Sequence, residues 1–129
     1  MDLRQVAKDT SKVLSSYLTY QALKTVMAQL SETNPPQALW LSGFAARHSV
    51  QDGEAFLQAL LQEQQELAFR LMTLRKHLAE EVADYLPEMV RTGIQQSNMV
   101  HKRQHLERMT QLTLSEPPSR SEQPTDLED

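Results

Sequence analysis

The sequence predicts an all-α protein: a four-helix protomer whose long, kinked C-terminal helix pairs antiparallel in a homodimer. Three observations lead there. Helix periodicity runs through nearly the whole body of the chain, and strand alternation is absent. Only 3 glycines occur in 129 residues, which leaves little material for tight hairpins or phosphate-cradling loops. The last apolar stripe is longer than a domain of this size can cover by itself.

The first helix is expected over residues 3–30, and its pattern has two faces. Leu3, Val6, Val13, Leu14 and Tyr17 cluster on one side, whereas Leu23, Val26, Met27 and Leu30 lie about 150° away on the helical wheel. Tyr17 and Tyr20 stand at the changeover. A helix packed on one core needs no such switch, so its halves face different neighbours or one half faces a groove. Tyrosine offers apolar area with a hydroxyl that can stay wet. The pattern alone leaves these two tyrosines as groove or core-edge residues.

Asn34-Pro35-Pro36 reads as an N-cap followed by a first helical turn. The second helix is expected over residues 36–46, burying Leu39, Trp40 and Phe44. The Ser-x-x-acid pattern of Ser49-Val50-Gln51-Asp52 marks the start of a third helix carrying Phe56, Leu57, Leu60 and Leu61. No glycine or proline separates the third helix from the fourth. A turn is still expected near residues 62–66, because one helix from 52 to 108 would span ~85 Å.

On the fourth helix Leu67, Leu71, Leu74, Leu78, Val82, Tyr85, Met89, Gly93 and Val100 form one stripe. It covers ~50 Å, against a diameter of roughly 35 Å for a compact body of this length. The cheapest cover for its far end is a second copy, hence the two-fold dimer. Gly93 would let another helix approach closely. Pro87 is expected to kink the helix by removing the hydrogen bond to the Ala83 carbonyl.

The formal charge of −4 belongs to the end of the chain. Residues 115–129 carry Glu116, Glu122, Asp126, Glu128 and Asp129 against Arg120, with three of the six prolines. Such a stretch buries too little to order itself and is read as a disordered acidic tail. Its low complexity favours a solubilising terminus over an interaction arm. The expected folded domain, residues 1–114, is then neutral.

Chemistry is excluded more readily than assigned. With no cysteine there is no disulfide, thiolate zinc site or cysteine nucleophile. There is no phosphate loop, no dinucleotide fingerprint and no zincin motif. His101 and His105 have metal-compatible spacing, but Lys102, Arg103 and Arg108 surround them and no third ligand is near, so no metal is expected. Glu80, Glu81, Asp84 and Glu88 read as a solvated face. No catalytic set emerges, and no cofactor is called for. The basic end of the fourth helix could meet phosphate backbone or an acidic protein surface, but no aromatic lies near it for base stacking. A nucleic-acid-binding or adaptor dimer using that end is the alternative function. No apolar run reaches the ~18 residues of a membrane span, so an intracellular, soluble protein is expected.

Several segments are too irregular for generic helical bias. They are the run 16–23 (SYLTYQAL), Glu32-Thr33-Asn34-Pro35-Pro36 with Leu39-Trp40-Leu41, Val50-Gln51-Asp52-Gly53-Glu54, and the stretches 85–96 (YLPEMVRTGIQQ) and 104–110 (QHLERMT). Together they closely resemble the RbcX family of Rubisco assembly chaperones, over roughly residues 1–113. The resemblance implies an arc-shaped antiparallel homodimer with no enzyme activity, cytoplasmic, in the service of photosynthetic carbon dioxide fixation. Association with carboxysomes stays open. It implies a central groove that captures the C-terminal peptide of the Rubisco large subunit in extended form. It also implies an outer polar surface that contacts a second large subunit until the small subunit displaces the chaperone. Carried over, the groove residues are Tyr17, Tyr20, Val50 and Gln51, with Thr19, Gln21 and Gln51 as suppliers of hydrogen bonds to the peptide. The peripheral residues are Gln29, Glu32, Arg70, Lys102 and Arg103. Relatives tend to have a proline near Gln65, and this chain has none.

Overall fold

The structure is a computed structural model that describes residues 1–114. The expected acidic tail lies outside the described residues. Among those described, the chain is all-α: α1 (Leu3–Thr33), α2 (Pro35–Arg47), α3 (Gly53–Glu63), α4 (Gln65–Ala83) and α5 (Leu86–Leu114). None of these helices is long and apolar enough to cross a membrane. The chain forms two compact units, Met1–Asp84 and the part from Tyr85 onward.

In the first unit α1 packs on α2, α3 and α4, and α3 packs on α4. Asp2 caps α1 through a carboxylate that accepts from the Arg4 N–H at 3.0 Å. The core gathers Ala22, Leu23, Val26 and Leu30 of α1, Leu41 and Phe44 of α2, Phe56, Leu57 and Leu60 of α3, and Leu67, Ala68 and Leu71 of α4. Phe44 stands at its aromatic centre, stacked on Trp40 at 5.2 Å and on His48 at 4.1 Å, with Phe56 edge-on at 5.4 Å. The second half of α1 supplies the core, and its first half leaves Leu3, Val6, Val13 and Tyr17 exposed. The two faces of the α1 pattern therefore have different surroundings, as expected. In α2 the expectation needs one correction. Leu39 is 76% exposed and Leu41 is fully buried, because the helix face turned to α1 is the one bearing Leu41 and Phe44.

Two of the turns are built alike. Asn34 (φ −153°, ψ 75°) ends α1 and starts α2, and Gln64 (φ −143°, ψ 85°) ends α3 and starts α4. In each, one extended residue donates its N–H back to the carbonyl four residues earlier, Leu30 or Leu60, at 2.7 Å. Asn34 also caps α2 through its side chain, with two prolines in the first turn. Gln64 has no side-chain cap, so nothing local announces the turn that the length argument requires. The start of α3 also differs from expectation. Its cap is Asp52, whose carboxylate accepts from the Ala55 N–H at 3.2 Å, and Ser49 instead accepts from the Gln51 N–H at 3.2 Å.

The expected kink at Pro87 is a break in the chain's helix at Asp84–Tyr85, which divides the long fourth helix into α4 and α5. Pro87 is the second residue of α5, where its missing N–H has no intrahelical partner to lose. The Met89 N–H picks up the Tyr85 carbonyl at 3.0 Å. The stripe is buried at Leu67 and Leu71 and half-buried at Leu74, Leu78 and Val82. In the second unit no residue of α5 is buried, and a Cβ on Gly93 would meet nothing within 4 Å.

One junction locks α1, α3 and α4 together. The N-terminus of α3 lies so close to α1 that a Cβ on Gly53 would stand 2.9 Å from Thr19 Oγ1 and 3.1 Å from the Ser16 Cα. The Gly53 N–H, one of the orphan donors of the helix start, donates to Ser16 Oγ at 3.1 Å. Thr19 is fully buried, and its hydroxyl donates to the Ser15 carbonyl at 2.8 Å. From α4, Arg75 donates to Thr19 Oγ1 at 3.1 Å and reaches both Glu54 carboxylate oxygens at 2.7 and 3.2 Å. This fork holds the Glu54 carboxyl below its usual range by its hydrogen bonds first and its charge besides, against the opposing effects of burial and of Asp52.

The junction sets two expected outcomes. Gly53→Ala should cost about 1–3 kcal/mol by overpacking, read as a lower urea midpoint at unchanged slope; equal or higher stability would contradict the close approach. Because the Glu54 pKa is depressed in the folded state, its contribution exists above the ordinary carboxylate pKa and is lost as pH falls through the lower folded value. Glu54→Gln should therefore be less stable than the parent at pH 7, with the gap closing in acid. A gap that widened in acid would contradict the pairing.

Candidate functional site

The first half of α1 and the loop between α2 and α3 meet at an open groove of about 440 Å³. It is lined by Val13, Ser16, Tyr17 and Tyr20 from α1 and by Val50 and Gln51 from the loop. The α1 residues stand at i, i+3, i+4 and i+7, one stripe of a helix. The loop is held over that stripe from both ends. Phe44 stacks on His48 before it, and Gly53 is bonded to Ser16 just after it.

The groove thus brings together all four residues proposed for it from the sequence, Tyr17, Tyr20, Val50 and Gln51, and adds Val13 and Ser16. Both additions belong to the same stripe as the tyrosines, and that spacing is the signal that could have found them. Tyr17 and Tyr20 are 56% and 42% exposed, so their rings form a wall open to a ligand. Val50 is half-buried against the core and Gln51 is exposed. Lys24 sits with its ammonium 5.4 Å from the Tyr20 ring centre.

Thr19 does not supply the groove. Its hydroxyl is committed to Ser15 and Arg75 inside the junction, because the ~100° step per residue carries position 19 off the groove stripe and toward α3 and α4. Gln21 is half-buried and is not among the lining residues. The hydrogen-bonding groups at the groove are the phenols, the Ser16 hydroxyl and the Gln51 amide.

A second hollow, of about 600 Å³, shares Val13, Ser16 and Gln51 with the first and is otherwise lined by polar side chains including Ser11, Lys12, Ser15 and Asp52. The two share these three residues as a common edge, with the aromatic side chains in the first and charged side chains in the second. The groove holds no paired acid and base, and among the described residues no group of three His, Asp or Glu could hold a metal ion.

Of the residues assigned to the periphery, three belong to the first unit and two to the second. Gln29 of α1 accepts a hydrogen bond from the Arg70 guanidinium of α4, and Glu32 lies one helical turn farther along α1, exposed. Lys102 and Arg103 are exposed on α5, in the other unit.

Residues 1–111 match the family model described as RbcX protein. The chain is 65% identical over 125 residues to the RuBisCO chaperone RbcX of Nostoc sp., covering 97% of this chain and 94% of the relative. It is 58% identical over 113 residues to the RuBisCO chaperone RbcX of Thermosynechococcus vestitus, covering 88% and 90%. Among solved structures it resembles a crystal structure of RbcX in complex with substrate, with a TM-score of 0.81 and 50% identity over 85% of this chain and 99% of that one. The match runs through the core, the junction at Gly53 and both walls of the groove, and the chain belongs to the RbcX family.

Proposed function

We propose that the protein is a Rubisco assembly chaperone that captures the C-terminal peptide of the Rubisco large subunit in the groove lined by Tyr17, Tyr20, Val50 and Gln51. The observation that carries this reading is the convergence of two exposed tyrosines, a valine and an exposed amide on one open groove without catalytic groups. The naming of similar proteins as RuBisCO chaperones supplies the client.

An extended peptide lying on helices finds no sheet edge to pair with. Its backbone groups must be met by side chains, and the phenols, Ser16 and Gln51 are suited to that. Apolar peptide side chains fill the space beside the tyrosine rings, which lose little entropy because they are rigid.

In this reading the working form is an antiparallel homodimer. What supports it is the exposure of apolar residues on α5, among them Met89, Ile94, Met99 and Leu106, together with the open face at Gly93. Gln29, Glu32 and Arg70, with Lys102 and Arg103, then contact a second large subunit. Exposed polar contacts of this kind set orientation more than affinity, which leaves the chaperone displaceable by the small subunit. Neither nucleic acid nor a membrane is a partner. The protein works in the cytoplasm of a photosynthetic cell, in carbon dioxide fixation, with carboxysomes as a further place of action.

Tyr20→Ala tests the groove. The variant should keep its helical content and a dimer mass by light scattering at micromolar concentration. Its capture of the immobilised C-terminal peptide of the large subunit should fall by at least tenfold, equivalent to about 1.4 kcal/mol. Undiminished capture would remove the groove from the reading, and a monomer mass for the parent chain would remove the dimer.

A further inference from the structure

Lys24 lies one turn beyond Tyr20 on α1 and is exposed. Its ammonium stands 5.4 Å from the Tyr20 ring centre, within the distance at which a cation is drawn to the negative face of an aromatic ring. The phenol ring thus fixes where a long, rotamer-rich side chain carries its charge, at the margin of the groove. No salt bridge takes up that ammonium among the described residues.

The charge around it is one-sided. Both walls of the groove come from residues 10–51, where Glu32 is the single acid against Lys12, Lys24 and Arg47. Glu32 lies ~12 Å past Lys24 along the helix axis. Helix α2 carries no acid, and its Arg47 sits over the Phe44 ring at 5.8 Å. The acids that follow the groove loop, Asp52 and Glu54, line the neighbouring hollow with Lys12 and are absent from the groove lining. Asp52 accepts from the Ala55 N–H, and Glu54 is held by the Arg75 fork. Both carboxylates are engaged at the start of α3. An exposed lysine usually gains little from an ion pair, because its side chain has to be frozen to make one. Here the Tyr20 ring already restricts it, so an arriving carboxylate meets a charge in place.

We propose that Lys24 is a specificity-determining residue of the groove, pairing with a carboxylate of the bound tail beside the apolar side chain that packs on Tyr20. This rests on the reading of the groove as a peptide site. The carboxylate belongs to an acidic side chain or to the free end of the tail, and both offer the same acceptor. Tyr20 then has two tasks, since its ring receives an apolar side chain and places the cation. A tail with a neutral group at that point gains nothing from Lys24, and one with a cation there is repelled. The groove thereby selects an acidic apolar tail over other apolar segments.

The test is the binding of the isolated C-terminal peptide of the Rubisco large subunit to the full-length protein, followed by calorimetry. Lys24→Met keeps an apolar stem on Tyr20 and removes the charge. At low salt it should raise Kd about fivefold, the upper end for an exposed ion pair. Lys24→Arg keeps the cation over the ring and should stay within about twofold of the parent. At 1 M salt, where the screening length is ~3 Å, the parent and Lys24→Met should converge. The peptide is then varied, with each acidic side chain replaced in turn by its amide, the free terminus by a carboxamide, and finally all together. The loss caused by Lys24→Met should vanish for the fully neutralised peptide, and the single replacement that also removes it identifies the carboxylate. A loss that persists with the fully neutralised peptide, or that Lys24→Arg shares in full, would show that the lysine acts through packing on Tyr20 and would overturn the proposal. An unchanged Kd for Lys24→Met would overturn it as well. A parent chain that binds no peptide at all would remove the groove reading, and Lys24 with it.

Discussion

The contact on which the rest of the first unit depends is the approach of α3 to α1 at Gly53. Helix backbones usually stand 8–10 Å apart because side chains intervene. Here a missing Cβ lets the start of α3 sit against Ser16 and Thr19. The polar groups that this closeness would strand are all met. Ser16 takes the Gly53 N–H, Thr19 bonds to Ser15, and Arg75 closes the set from α4 through Thr19 and Glu54. A buried hydroxyl without partners would cost about 1–3 kcal/mol, so closeness and satisfaction have to arrive together. Since Val50 and Gln51 directly precede this junction, their position over Tyr17 and Tyr20 is a consequence of it. The groove is a by-product of packing rather than a loop held out in solvent.

A second constraint is the shortness of the chain. With 31 residues in α1 and 29 in α5, both helices are long for a body this small. The core occupies only the second half of α1. The first half is left with Val13 and Tyr17 exposed, and the uncovered stretch is where the groove forms. On α5 the same shortage leaves the apolar residues bare from Met89 to Leu114. Surfaces of this kind reduce solubility unless something occupies them. Each has its own occupant in the proposed reading: a client peptide on α1 and a second copy on the stripe of α5.

Much of this is legible in the sequence, and the reasons are specific. Asn34-Pro35-Pro36 announces its turn because cap and proline chemistry are local. Gln64 makes nearly the same turn without any such chemistry, and only the implausible length of an unbroken helix points to it. Pro87 signals a disturbance without fixing its form, since a proline's effect falls on the carbonyl four residues earlier and a helix can bend or end there. Here it ends, at Asp84–Tyr85. Leu39 and Leu41 are equally apolar and two residues apart, and only the position of α1 decides which is buried. The two-faced pattern of α1 marks the groove region, and its residues 13, 16, 17 and 20 share one face. Thr19 escapes sequence reading for a different reason. Its role depends on Gly53, Arg75 and Glu54, which are distant in sequence, and no local pattern connects them. The identity of the groove residues comes from the family resemblance, and the folded chain brings those four side chains to one place.

The central claim is that an extended large-subunit tail lies on the stripe formed by Val13, Ser16, Tyr17 and Tyr20, under Val50 and Gln51. The most direct measurement is a titration of the isotopically enriched protein with the isolated C-terminal peptide of the Rubisco large subunit, followed by amide shifts. The predicted result is saturable shifts concentrated at residues 13–20 and 49–53, with α5 beyond Met99 unmoved. Saturable shifts confined to α5, or none at the tyrosines at peptide concentrations that saturate binding, would contradict it.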